Sequence, residues 1–433
     1  MTVRDLSTAV AALRARQVGP CEKGFGPVAP VTAAELAGQR PGLFGGAFSF
    51  PLLVLRDAAL RQNIEAMAAY CAAAGVDLAP HGKTTMAPQL FARQLAAGAW
   101  GMTAATPSHL RVYREFGVPR ILLANELTDP AGIAWLAAEL AADPGFDCYV
   151  YVDSLPGVRL LDDALTAAAA GRRLPVLVEL GQMGGRAGCR TVADALTVAK
   201  AAAATDSLRL AGAAGYEGSV GHDATPATLD AVAAFCRDLR ELGDGLRELA
   251  PGPDRLIVTA GGSSFFDIVV HELTAPPVAD PAPRIVLRSG AYLTHDHGRY
   301  AALTPGGPDQ PDRTGPQLAP AFELWAHVLS RPEPGLAVLS AGRRDVAFDT
   351  GLPRPLRVRP QAGPGDEAAA DGMTVTKLDD QHAYMSVPPG AALTPGDLVC
   401  LGISHPCTTF DKWRVVPVVD DGYRVVDAIH TFF

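Results

Sequence analysis

Lysine is scarce in this chain of 433 residues. Lys23, Lys83, Lys200, Lys377 and Lys412 are the only five, although Lys and Arg together number 37. Acidic side chains outnumber basic ones by 46 to 37, giving a formal net charge of −9 with no basic stripe. That distribution argues against a nucleic-acid partner. The seven cysteines (Cys21, Cys71, Cys148, Cys189, Cys236, Cys400 and Cys407) are odd in number and irregularly spaced. They offer no disulfide framework and point to a reducing compartment. No run approaches the roughly 20 uninterrupted apolar residues that span a bilayer, so no membrane association is expected. Met1–Pro20 carries Arg4, Asp5, Arg14 and Arg16 without a continuous apolar core. It predicts a short amphipathic helix and not a signal peptide, and a cytoplasmic protein is the expectation.

What is present is apolar material: 48% hydrophobic residues against 19% charged, enough for one large domain and a smaller one. Between about residues 75 and 290, short β-branched runs alternate with Ala/Leu-rich helical stretches. The predicted strands are 76–81, 101–106, 120–126, 147–153, 175–181, 208–216, 255–261 and 284–290. Several intervening helices open with proline after a capping residue, as at Thr106-Pro107, Asp129-Pro130 and Thr225-Pro226. Eight such repeats predict a (β/α)₈ barrel over residues 45–298, with the active site at the C-terminal strand ends. A doubly wound open sheet is the competing architecture, because periodicity does not reveal closure. Beyond residue 298 the texture becomes β-rich, with Pro/Gly-rich 304–320 and acidic 363–372 as loops. Residues 299–433, completed by 1–44, are expected to form a second, mainly antiparallel β domain.

Lys83 stands in Leu78-Ala79-Pro80-His81-Gly82-Lys83-Thr84-Thr85-Met86-Ala87-Pro88, where the first barrel strand runs into a turn. Desolvation there disfavours the ammonium and frees a nucleophilic amine, the requirement for a Schiff base with pyridoxal phosphate. Gly261-Gly262-Ser263 after the seventh strand is a candidate phosphate cradle at a frequent barrel phosphate site. Arg186, in the glycine-rich loop 181–188, is a candidate cofactor contact or else a surface arginine. Tyr216, after the sixth strand, either faces the cofactor ring or belongs to the core. His405-Pro406-Cys407 places imidazole and thiol two apart, on one side of an extended chain, a donor pair suited to Zn²⁺. His295-Asp296-His297 is a competing metal or proton-transfer cluster, or a solvated loop.

Taken together, 80–88, Gly261-Gly262-Ser263, Ser289-Gly290-Ala291-Tyr292 and Ser404-His405-Pro406-Cys407 resemble the D-serine dehydratase and D-threonine aldolase family. That group is related to alanine racemase (pyridoxal phosphate fold type III). The resemblance covers roughly residues 45–433. It implies a homodimer, pyridoxal phosphate on Lys83, and a divalent metal on His405 and Cys407. It places Gly262 and Ser263 at the phosphate and Arg186 and Tyr216 around the pyridine ring; Gly261 and Tyr292 are further candidate cofactor-binding residues. Family aldolases tend to carry His-x-Asp at the metal and dehydratases His-x-Cys, the pattern found in this chain.

The activity expected from that resemblance is dehydration of D-serine or a related D-3-hydroxy amino acid to a 2-oxo acid and ammonia. Lys83 would move the Cα proton, and the metal would help the hydroxyl leave. The alternative is a metal-dependent D-3-hydroxy-amino acid aldolase giving glycine and an aldehyde. A racemase is a weaker third, having no evident use for the His-x-Cys pair. A non-catalytic pyridoxal phosphate carrier is disfavoured by the extension 299–433.

Overall fold

A computed structural model describes residues 5–26, 29–250, 255–276, 281–361 and 367–433. Eight parallel strands form its first sheet: Asp77–Leu78, Met102–Ala104, Arg120–Glu126, Asp147–Val152, Leu174–Leu180, Leu208–Gly215, Ile257–Ala260 and Arg284–Leu287. The last pairs with the first, and a parallel bridge between His81 and Thr103 joins the first to the second. The ring is closed, so the structure is a barrel and the open-sheet alternative falls. Closure follows from burial on both faces, visible in the fully buried strand Leu174–Leu180.

The helices outside the barrel start where the sequence marks them. Thr106, Asp129, Ser154, Thr191 and Thr225 each accept a hydrogen bond from a first-turn amide, and four of these helices carry proline in the first turn. Each such cap stabilises its helix by about 1 kcal/mol. Inside the ring, Leu122, Tyr151, Leu177, Ala211, Ile257 and Val286 fill the lumen, so the barrel is a packed core and not a pore.

The second sheet is mainly antiparallel and is organised by the long strand Phe322–Glu333, which lies between Leu52–Arg56 and Leu398–Gly402. Sequence periodicity had not marked Phe322–Glu333, whose apolar run mixes Glu323, His327 and Arg331 with bulky residues. Leu52–Arg56, inside the 45–298 segment, belongs to this sheet and not to the barrel. Its buried Leu-Leu-Val-Leu run finds its partner some 270 residues downstream. One pairing in the sheet is parallel, Val418–Val419 with Leu55–Arg56.

The N-terminal residues lean on this second unit, since Leu43 N–H donates to Tyr423 O at 2.9 Å. The predicted N-terminal helix spans Leu6–Arg14. Of the 363–372 segment, residues 363–366 lie outside the described residues, while Ala368–Ala369 pairs with Arg357–Val358. All seven cysteines are unpaired. No described helix is long and apolar enough to cross a membrane.

Candidate active site

Alternation along each barrel strand decides which side chains reach the mouth. Two residues beyond the lumen-filling Ala79, Ala124, Leu177, Ile257 and Val286 come His81, Glu126, Glu179, Thr259 and Arg288, on the same inner side. An apolar lumen is thereby topped by a ring of polar groups.

Lys83 sits over this ring in the turn Gly82–Thr84. Gly82 is required there, because a Cβ would lie 2.5 Å from Tyr113 Oη and 2.9 Å from Phe91. Lys83 is itself exposed, while Gly82 and Thr84 on either side of it are buried, so the side chain projects from a buried turn and only its amine end feels the mouth. Burial pushes its ammonium below the usual lysine range; the Cys407 thiolate opposes this, and Arg186 and Arg288 reinforce it. The same burial, with Lys83 and Arg288 close by, holds His81 well below the ordinary histidine range and therefore neutral.

Tyr216 lies at the mouth with the Arg186 guanidinium 4.8 Å above its ring. Arg186 also reaches the buried Glu179, Nη2 to Oε1 at 3.5 Å. Gly262 leaves space for the tyrosine, since a Cβ would fall 2.9 Å from its ring. Glu179 in turn stands beside Glu126, whose carboxyl is pushed up to about 8 by burial and the Glu179 charge.

The glycine turn differs from the expected open cradle. The amides of Gly261 and Gly262 donate to the fully buried Glu217 at 2.9 and 2.6 Å, while Ser289 Oγ donates to both of their carbonyls. These two amides are therefore engaged, leaving the Ser263 hydroxyl, which accepts from Ala291 N–H at 3.2 Å, as the adaptable polar group of the turn. Tyr292 is not brought to the site. The turn Ala291–Leu293 is buried against the outer helices, and the Tyr292 hydroxyl accepts from Gln94 Nε2 at 2.9 Å in a crevice with Cys71 and Asp77.

Strand Leu398–Gly402 delivers His405 and Cys407 to the same mouth. They are not on extended chain as expected. Pro406 has helical φ and ψ (−58° and −43°), and Cys407 opens the helical turn Cys407–Phe410. The two side chains nonetheless lie close enough to interact electrostatically, each stabilising the charged form of the other. Burial alone would raise the Cys407 thiol, but interactions with His405 and Thr84 and the nearby Lys83 charge hold it below its ordinary value. Thr84 Oγ1 lies 3.3 Å from Cys407 Sγ, and His405 Nδ1 lies 2.7 Å from Asp349 Oδ2.

The cluster 295–297 is held by backbone bonds, with Asp296 Oδ2 and His297 Nδ1 buried without a partner in the described chain. Asp296 Oδ1 accepts the amides of Gly298, Tyr300 and Ala301, and His297 N–H donates to Ile403 O. Among the described residues no group of three or more His, Cys, Asp or Glu is placed to hold a metal ion.

Residues 56–263 match the model of the alanine racemase N-terminal domain and residues 321–419 that of a putative serine dehydratase domain. The chain is 30% identical over 381 residues to D-threonine aldolase of Arthrobacter sp., covering 86% of this chain and 89% of the relative. The chain belongs to the D-serine dehydratase/D-threonine aldolase family. Its members are pyridoxal-phosphate-dependent lyases, and this chain is such an enzyme. A 3-hydroxy-D-aspartate aldolase of Paracoccus denitrificans is 28% identical over 72% of this chain and 77% of its own length. Among solved structures, D-threonine aldolase from Filomicrobium marinum superposes with a TM-score of 0.73 at 28% identity, over 89% of this chain and 95% of that one. The D-threo-3-hydroxyaspartate dehydratase from Delftia sp. HT23 shares the fold, with a TM-score of 0.69 at 20% identity over 89% and 97% of the two chains.

The residues of this family member fit pyridoxal phosphate and a divalent ion. An amine whose charged form is disfavoured by burial faces the mouth, and His81 Nδ1, His109 Nδ1 and Tyr151 Oη are buried without a partner in the described chain. An imidazole and an acidified thiol form the donor pair. Sequence reasoning missed Arg288, Glu217, Glu179 and Asp349. For Glu179 the signal was a lone charge in an otherwise apolar buried strand, in phase with the inward side.

Proposed function

We propose that this chain is a pyridoxal phosphate- and divalent-metal-dependent dehydratase of D-serine or a related D-3-hydroxy amino acid, giving a 2-oxo acid and ammonia. The observation that carries the proposal is the meeting of the Lys83 turn with the His405/Cys407 pair at one barrel mouth, joined through Thr84 and Cys407. Bound pyridoxal phosphate supplies an electron sink for a Cα carbanion, and a bound ion supplies an electrophile for the β-oxygen.

The chain's own residues do the rest. Lys83 would hold the cofactor and take the Cα proton on Nζ, a role that needs its amine neutral. Arg186 and Tyr216 would flank the cofactor ring, Ser263 would meet the phosphate, and the glycine turn braced by Glu217 and Ser289 would keep that hydroxyl in place. Arg288, fixed by bonds to Thr259 Oγ1 (2.7 Å) and Gly215 O, puts a permanent positive charge in the same polar ring. His405 and Cys407 would hold the ion, Zn²⁺ by donor type. With the Cα proton held on Lys83, the β-oxygen would depart as hydroxide with the Cβ–O electron pair, and water would convert what remains to the 2-oxo acid and ammonia. A homodimer in the cytoplasm completes the proposal.

A second outcome, aldol cleavage to glycine and an aldehyde, is supported by the identity to D-threonine aldolase and 3-hydroxy-D-aspartate aldolase. Cys407 in the second ligand position favours dehydration. The experiment is incubation of the metal-loaded holoenzyme with D- and L-serine, D-threonine and D-3-hydroxyaspartate, assayed for ammonia, oxo acid, glycine and aldehyde. Ammonia and oxo acid in equal amounts from the D-substrates are expected. Glycine and aldehyde as the main products would replace the dehydratase with the aldolase.

A further inference from the structure

Asp349 lies far from the motifs that define the site, in the loop between strands Leu336–Leu339 and Arg354–Arg359. Its Oδ2 is 2.7 Å from His405 Nδ1, and its Oδ1 accepts from Thr408 Oγ1 at 3.0 Å. The surrounding loop is fastened to the segment that carries the two candidate ligands. Thr350 Oγ1 donates to Ser404 O at 3.0 Å, Ser404 Oγ donates to Gly351 O, and Ala347 N–H donates to Thr409 Oγ1 at 3.1 Å. The Thr409 hydroxyl itself donates to His405 O at 3.0 Å. Both oxygens of Asp349 are thus engaged by residues one turn apart, which fixes the carboxylate as well as the imidazole.

We propose that Asp349 is the positioning residue of the His405/Cys407 pair. By accepting the Nδ1 proton of His405, it selects the tautomer whose Nε2 lone pair is free for a cation shared with Cys407. A neutral imidazole has one bare nitrogen, and the partner of the other nitrogen decides which one. A carboxylate beside the protonated nitrogen also raises the basicity of the ligating one, strengthening an Nε2–metal bond. Thr408 prevents the carboxylate from rotating its second oxygen into the ligand space. An incidental surface ion pair would account for the Nδ1 contact, but it would leave metal affinity unchanged.

The inference rests on the metal-binding half of the proposed function, and the test separates the two. The holoenzyme and its Asp349→Ala, Asp349→Asn and His405→Ala variants are stripped of metal and titrated with Zn²⁺ against a chromogenic chelator. Cofactor absorbance and circular dichroism are followed in parallel. Asp349→Ala is expected to weaken Zn²⁺ binding by about 10- to 100-fold. Asp349→Asn, which keeps an acceptor for Nδ1–H, is expected to fall between it and the parent, with cofactor absorbance unchanged in both. Nitrogen NMR of the Zn²⁺-loaded parent should show the Nδ1-protonated tautomer at His405. Affinity within twofold of the parent in Asp349→Ala, with His405→Ala abolishing binding, overturns the role of Asp349 alone. A parent that takes up no Zn²⁺ overturns the metal site and this inference together.

Discussion

Thr84 Oγ1 and Cys407 Sγ lie 3.3 Å apart although 323 residues separate them in the chain. One follows the candidate cofactor lysine on the barrel, and the other is the thiol delivered by the second domain. The contact sets the distance between the two chemical halves of the site, and it depends on how the domains dock. Phe432 N–H to Met86 O, at 2.9 Å, clamps the same barrel loop from the C-terminal side.

Replacing Thr84 with valine keeps the volume and removes the hydroxyl. A hydrogen bond of this kind contributes about 1 kcal/mol, so Zn²⁺ affinity is expected to fall about fivefold. Cofactor absorbance should stay as in the parent. Equal Zn²⁺ affinity in a chelator competition would show that the contact is only packing.

Lys83→Ala is expected to lose turnover by several orders of magnitude, because no other lysine reaches the mouth. Borohydride reduction of the parent holoenzyme followed by peptide mapping should leave the reduced cofactor on the peptide containing Lys83. The label on any other lysine would refute the assignment.

Gly262→Ala places a Cβ 2.9 Å from the Tyr216 ring and 3.1 Å from Glu217 Oε1. One of the two must move, at a cost of about 1–3 kcal/mol. Either displacement loosens the turn that carries Ser263, so the cofactor dissociation constant, read by absorbance or fluorescence titration, is expected to rise about tenfold or more. A dissociation constant unchanged from the parent would dissociate this turn from the phosphate.

Glu126 has its carboxyl pushed up to about 8 in the folded protein by burial and the neighbouring Glu179, against an ordinary value near 4.5. Between these two values the folded state holds a proton that the unfolded state has released, so stability falls as pH rises through that window. Glu126→Gln cannot titrate and escapes the penalty. The variant is expected to match the parent near pH 5 and to exceed it at pH 9 by on the order of 2 kcal/mol, read from denaturant midpoints at both values. A constant difference at both pH values would place the proton elsewhere, with Glu179, Asp153 and Arg186 as the neighbouring charges.

Several features of this protein were determined by near neighbours in the chain. The eight strand–helix repeats follow from local periodicity, and the helix starts follow from a capping residue and proline side by side, as at Thr106-Pro107. The Lys83 turn and the His405-x-Cys407 pair are likewise written in contiguous residues, which is why they were legible without coordinates. Other features depend on partners that chain spacing does not encode. Glu217 meets Gly261 from 44 positions away and closes amides that looked available, and Asp349 meets His405 from 56. Tyr292 sits in a motif shared with the site, yet the packing of its turn against the outer helices sends its ring behind the barrel. Leu52–Arg56 reads as a strand in isolation, but only Phe322–Glu333 decides which sheet receives it. Hydrophobic period and capping are local energies, whereas the partner of a buried polar group is chosen by ring closure and domain docking, and only the tertiary structure supplies those.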